Sequence, residues 1–239
     1  MPEDPRPPGG GANRIGTERE WSLHRDLKFR YAGGSGSTEV SLGGYVCDGI
    51  TGGGEIIEVQ TGSFGPLKDK ARALIRLGPL RIIHPIIVHK SIELYDREGT
   101  LLYRRKSPRK GTAWDLFKAL LYAPALPALP GLAIELPLVD VLEKRIQDGR
   151  GSWRRKGASI QDKELTAYHE ELLLTQLPDY RRFVPFTEEE TFTVKTLGKR
   201  AGIPAPIARK TLYVLTRLRV VRRISREGNA WVYRLEPIP

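Results

Sequence analysis

Apolar residues near the start of the chain follow a helical spacing and then give way to a strand-like one. Leu23, Leu27 and Arg30 mark one stripe, and Glu20, His24 and Lys28 mark a neighbouring one. Thr17-Glu18-Arg19-Glu20 has the capping-box pattern, so the spacing predicts a helix over 17–30. Gly33 to Ser37 break it before a strand over 38–42. Tyr45-Val46 and Ile56-Ile57, with Val59, then flank Thr51-Gly52-Gly53-Gly54, whose glycines supply the positive φ angles of a reversal. The stretch predicts a tight β-hairpin. A turn centred near Gly53 sets Asp48 opposite Glu58, and opposed residues share a face with Cβ atoms about 5 Å apart.

Further along, Pro66 opens a helix through Leu67, Ala71, Leu74 and Ile75 that stops at Gly78-Pro79. Residues 81–88, an almost unbroken apolar run, predict a strand covered on both faces, with Pro85 marking an edge or a bulge. A second hairpin is expected from 91–95 and 101–105 around Asp96-Arg97-Glu98-Gly99. Residues 114–122 and 161–174 have helical character. The apolar tract 119–142 is interrupted by Pro124, Pro127, Pro130, Pro137, Glu135 and Asp140, so it is not read as a membrane span. Near the end, a helix over 193–200 turns through Ala201-Gly202-Ile203-Pro204 into a second helix over 206–218. That helix buries Ala208, Leu212, Leu215 and Leu218 and presents Arg209, Lys210, Tyr213 and Arg217. Strands over 220–225 and 230–235 follow, joined by Arg226-Glu227-Gly228-Asn229.

Charge sharpens this picture. The chain of 239 residues carries a net charge of +11, and 11 Lys and Arg face only Glu227 and Glu236 from residue 191 onward. That is the footprint of a nucleic-acid-binding module. Two further segments, 104–111 and 150–157, each pair an Arg-Arg-Lys triplet with glycine and a nearby Trp. Read as loops, Arg104, Arg105 and Lys106, and Arg154, Arg155 and Lys156, suit phosphates and a stacked base. These groups are indifferent to sugar type, so RNA stays open beside DNA. Cys47 is the single cysteine, which excludes an internal disulfide and fits a reducing, cytoplasmic and nucleoid-associated setting. The organisation expected is a Pro/Gly-rich disordered tail over 1–16, an α/β domain over 17–176 and a small α+β domain over 177–239.

The candidate chemistry centres on the first hairpin. Gln60 lies two residues beyond Glu58 and points to the same face, so two carboxylates and an amide oxygen converge, hard ligands of the kind Mg²⁺ prefers. Two opposed carboxylates repel unless a cation sits between them. His24, His84, His89 and His169 show no zinc spacing, and no zinc site is expected.

The order helix, strand, strand, strand, helix, strand, with Asp48 near the end of the second strand and Glu58-Val59-Gln60 on the third, resembles the PD-(D/E)XK nuclease superfamily over about 17–88. The resemblance implies a restriction-endonuclease-like αβββαβ core with a mixed sheet. It also implies a catalytic set of Glu20, Asp48, Glu58 and Gln60, with Asp48, Glu58 and Glu20 holding Mg²⁺ or Mn²⁺. Gln60 stands where the motif usually has lysine, and a neutral amide can hydrogen-bond but cannot supply charge. Lys68 or Lys70 on the following helix would supply it instead. Many members act as dimers, so a homodimer is one assembly to look for. The C-terminal pattern resembles a winged helix-turn-helix domain over about 179–235. It implies a second helix in a DNA major groove and a wing near Arg223, Arg226 and Asn229 on the backbone. Together these readings lead to a metal-dependent DNA endonuclease. The alternative is a non-catalytic DNA-binding regulator that keeps a nuclease-like scaffold, which the Gln60 departure favours.

Overall fold

The computed structural model describes residues 21–34 and 36–237; the expected tail, the Thr17 cap and Glu20 lie outside the described residues. Helix α1 (Ser22–Ala32) leads into three strands, β1 (Ser37–Leu42), β2 (Tyr45–Ile50) and β3 (Ile56–Val59). Helix α2 (Lys68–Leu74) then crosses over to β4 (Leu80–Ile83), which is followed by β5 (Ile86–Tyr95) and β6 (Leu101–Lys106). After a short α3 (Leu116–Ala119) come two long strands, β7 (Leu132–Ile146) and β8 (Ser159–Leu174).

These strands form one mixed eight-stranded sheet in an α/β architecture. Strands β1, β2 and β3 are an antiparallel meander, whereas β4 lies parallel to both β3 and β7. Strand β5 continues along the same edge of β7 beyond β4, β6 runs antiparallel to β5, and β8 pairs antiparallel on β7's other edge. Side-chain alternation decides which helix covers which face. Ile57 and Val59 pack with Ile83, Val139 and Val141 against Leu23, Leu27 and Ala32 of α1. Ile56 instead packs with Ile82 and Ile134 against Ala71 and Leu74 of α2. Neighbours on one strand point to opposite faces, so α1 and α2 flank the sheet from its two sides. Gly49 permits the close approach of α1, because a Cβ there would meet the Ala32 Cβ at 2.2 Å.

Three expectations need correction. The single strand over 81–88 is broken at His84-Pro85 into β4 and β5, where proline has no N–H for the ladder. The stretch 161–174, expected as a helix, is β8. Its pairing runs from Ile134↔Leu174 to Ile146↔Ser159, and this long-range ladder overrides the helix propensity of its Glu, Leu and Lys residues. Of the basic segment 104–111, Arg104, Arg105 and Lys106 belong to the exposed strand β6 rather than to a loop. Residues 113–122 are helical as expected, but mostly in 3₁₀ turns around α3.

Helices α4 (Val194–Ala201) and α5 (Ala205–Arg217) and the hairpin β9 (Val221–Glu227) and β10 (Ala230–Leu235) complete the chain. The Thr193 hydroxyl accepts the Thr196 N–H at 3.3 Å to cap α4, and Gly202 ends it at φ 64°. Leu197, Ala208, Leu212, Leu215 and Leu218 are buried together, and Tyr233 pairs with Phe192 across an isolated bridge. Phe183 stands edge-on to Phe117 (4.8 Å) and Trp114 (5.2 Å), and α5 packs on α3, so one apolar cluster runs across the expected domain boundary. Among the described residues no helix is long and apolar enough to cross a membrane.

Candidate active site

The β2–β3 hairpin has the expected register: Ile50 pairs with Ile56 and Gly49 with Ile57. The next step brings Asp48 and Glu58 together, and there the ladder stops. Asp48 Oδ2 takes the Val59 N–H at 2.7 Å, replacing the backbone acceptor a regular strand would offer. Helix α1 secures this carboxylate from one side. His24 Nε2 lies 3.4 Å from Asp48 Oδ2 and donates to Val59 O at 2.9 Å, which places the ring proton on Nε2. Lys28 Nζ stands 3.8 Å from Asp48 Oδ1 and 2.9 Å from Glu39.

From the opposite face, α2 brings Lys70 Nζ to 2.5 Å from Glu58 Oε1. The two charges pair, with Oε1 fully buried beneath the ammonium group. Of the two lysines anticipated on this helix, it is Lys70 that reaches the site. Burial is the main force on Glu58 and lifts its pKa to about 7; the Asp48 charge adds to the rise and Lys70 opposes it. At Asp48 burial again favours the neutral acid. There the His24 hydrogen bond and charge, the Val59 amide and Lys28 outweigh it, and the carboxyl is held below its ordinary range.

A buried carboxylate near its pKa at neutral pH stands here beside an ionised one, so two acidic groups converge with the Lys70 ammonium on one place. Asp48 and Glu58 therefore fit a small hard cation such as Mg²⁺, which binds through one or two carboxylates and keeps several waters. Gln60 sits differently from the expectation of three converging oxygens. Its amide donates to Ser63 O at 2.6 Å, and its backbone carbonyl accepts from His84 Nδ1 at 2.5 Å. Among the described residues its side chain hydrogen-bonds to neither carboxylate. Burial lowers the pKa of His84, and its ring stands edge-on to Phe64. Beside it a pocket of about 220 Å³ is lined by Thr61, His84, Ile87, Lys90 and Arg109.

The two basic segments, far apart in sequence, converge. Arg104 and Arg105 of β6 and Arg154, Arg155 and Lys156 of the β7–β8 turn line one groove of about 490 Å³, together with Tyr103 and Arg145. Lys106, also exposed, lies at the end of β6. The turn depends on Gly151, where a Cβ would lie 1.7 Å from Ala158 O, and it holds Lys156 at φ 52°. Trp153 is 81% exposed, with the Arg154 guanidinium 5.4 Å from its ring. Elements that meet only in the sheet carry this groove, which local sequence patterns do not report.

In the C-terminal region Arg209, Tyr213 and Arg217 are exposed along α5 and Lys210 is half-buried. Arg223 and Arg226 stack over Trp231 at 4.9 and 4.1 Å. Sequence spacing also missed a meeting of His89, Asp140 and His169 on three neighbouring strands. They are separated by 51 and 29 positions, far outside local metal-binding spacings.

No solved structure matches this chain. An uncharacterized protein of Treponema pallidum (strain Nichols) is 28% identical over 151 residues, which cover 63% of this chain and 60% of that protein. The chain therefore matches about three-fifths of that relative's length. The model of a family described as "Domain of unknown function (DUF8091)" matches residues 21–175, a span that holds the whole eight-stranded sheet together with every side chain of the Asp48–Glu58 site described above. This chain belongs to the DUF8091 family.

Proposed function

We propose that this protein is a divalent-metal-dependent DNA endonuclease of the PD-(D/E)XK kind, with a C-terminal winged helix that holds DNA. One observation carries the reading: the buried Glu58 carboxylate stands beside the half-buried Asp48, with a lysine from α2 at 2.5 Å. The helix-flanked meander followed by a parallel fourth strand supports it, because the resemblance implies that element order.

In this reading Asp48 and Glu58 hold Mg²⁺ or Mn²⁺, with Glu20 as the third acid the resemblance implies. The bound ion supplies an activated water and neutralises charge gathering on the scissile phosphate. His24 fixes the Asp48 carboxylate through its contact at 3.4 Å. Lys70 supplies the charge that Gln60 lacks and points it at the Glu58 carboxylate. Arg104, Arg105, Arg154, Arg155 and Lys156 grip the phosphate backbone, and Arg209, Tyr213, Arg217 and Arg226 extend the grip along α5 and the wing. A second reading, a DNA-binding regulator on a nuclease-like scaffold, draws on the Gln60 amide being committed to Ser63.

Cleavage of plasmid and branched DNA with Mg²⁺ or Mn²⁺ separates the two. Metal-dependent nicking that disappears in Glu58→Ala while DNA binding persists supports the nuclease. Tight binding without cleavage of any DNA or RNA form by the wild type favours the regulator.

A further inference from the structure

His89 lies on β5, Asp140 on β7 and His169 on β8, so the three residues sit on adjacent strands of the sheet. Two irregularities bring them onto one face. Ile87 pairs with Val139 and His89 with Asp140, which leaves Val88 as an extra residue and turns His89 to the side of Asp140. On the other edge Asp140 pairs with Ala167, and His169 two residues on shares that side. Leu136 and Leu138, on the same alternation of β7, pack against the main core, so the trio stands where the apolar cover of that face ends.

His89 Nδ1 lies 3.0 Å from Asp140 Oδ1, and His169 Nε2 lies 2.9 Å from the same oxygen. The ligand atoms of all three residues fall within 4.8 Å of one another. Zinc–nitrogen bonds of about 2.0–2.1 Å place neighbouring ligands of one ion roughly 3.3 Å apart, close to the spacing already present. A cation here would take the place of the two protons now shared with Asp140. Two imidazoles and one carboxylate are borderline donors that suit zinc-like ions better than Mg²⁺. The side chains are partly exposed, so water can complete the coordination and the ion has an entry path.

We propose that His89 Nδ1, His169 Nε2 and an Asp140 oxygen form a site for a first-row transition cation, with Zn²⁺ as its type, joining β5, β7 and β8. This inference is independent of the nuclease reading, since it uses different residues and a different class of ion.

Isothermal titration of the tag-free, chelator-stripped full chain with Zn²⁺, in the presence of millimolar Mg²⁺, tests it. The expected result is one Zn²⁺ per chain. His89→Ala and His169→Ala should each weaken binding by more than the roughly 10–100-fold that loss of a supporting outer residue costs. Asp140→Asn, which keeps the side chain's size and hydrogen-bonding oxygen, should weaken it as well. The thermal midpoint of the wild type should rise with Zn²⁺ while that of His169→Ala does not. No stoichiometric Zn²⁺ binding by the wild type overturns the proposal, as does binding that all three variants leave unchanged.

Discussion

Glu58 and Asp140 are carboxylates of the same sheet, and their surroundings push them in opposite directions. Glu58 is buried between two helices, and burial raises its pKa to about 7 even with Lys70 beside it. Asp140 is partly exposed. Burial is the largest single influence there too and favours the neutral acid, but the hydrogen bonds and charges of His169 and His89 together outweigh it and hold the carboxyl below the ordinary range. The first carboxylate stands between a second carboxylate, Asp48, and one ammonium group, Lys70. The second already has two imidazoles aimed at one oxygen. Depth in the fold, more than residue type, sets which cation each would take: a small hard ion at Glu58, a nitrogen-preferring one at Asp140.

The comparison can be broken most forcefully at Glu58. In the proposed nuclease, Glu58→Ala should lower metal-dependent cleavage at least about 1000-fold in single-turnover assays, since it removes a metal ligand and not a peripheral contact. Retained cleavage would remove Glu58 from the chemistry.

A second effect is on stability. The folded protein holds the Glu58 proton up to about pH 7, whereas the unfolded chain releases it near the ordinary 4.5. Between those values the folded state binds more protons, so stability falls as pH rises through this window. In metal-free buffer Glu58→Gln, which cannot ionise, should therefore be more stable than the wild type at pH 8, by up to about 3 kcal/mol. The difference should fade toward pH 4.5, which urea unfolding at several pH values would show. Equal pH dependence of the two proteins would mean that Glu58 ionises normally.

How much of this was legible beforehand divides along the same line between local and long-range structure. The Asp48–Glu58 pairing follows from one glycine-rich turn and a two-residue period, both contained within 45–60. The helices and hairpin of 193–235 are likewise visible from apolar stripes, the turn at 201–204 and Gly228-Asn229. Strand β8 was not, because its Glu- and Leu-rich end reads as helix until β7 offers it an edge. Nor could spacing reveal that β6 and the β7–β8 turn share a groove, or that His89, Asp140 and His169 meet. Each of those meetings is made by strand pairing across tens of residues. The Lys70 contact lay in between: the helix was expected, but which lysine turned toward Glu58 depended on how α2 packs.

Smaller effects sharpen the comparison. Lys70→Met should slow cleavage by about 100-fold, the scale of losing one preorganised charge contact. It should also move the acid limb of the pH–rate profile upward, because Lys70 counteracts the rise in the Glu58 pKa. A profile left in place would make Lys70 a packing residue only. The smallest effect concerns the groove, where Arg105→Ala should weaken DNA binding evenly across sequences. It should reduce the slope of log affinity against log salt by about one unit, as expected for one lost phosphate contact. An unchanged slope would take Arg105 off the DNA path.

The central claim is that Asp48 and Glu58 hold a hard divalent cation, and calorimetric titration of the full chain with Mg²⁺ tests it most directly. The wild type should bind Mg²⁺ with proton release near neutral pH, as Glu58 gives up its proton, and Glu58→Gln should lose that binding. Equal Mg²⁺ binding by the wild type and Glu58→Gln, or none by the wild type, would contradict it.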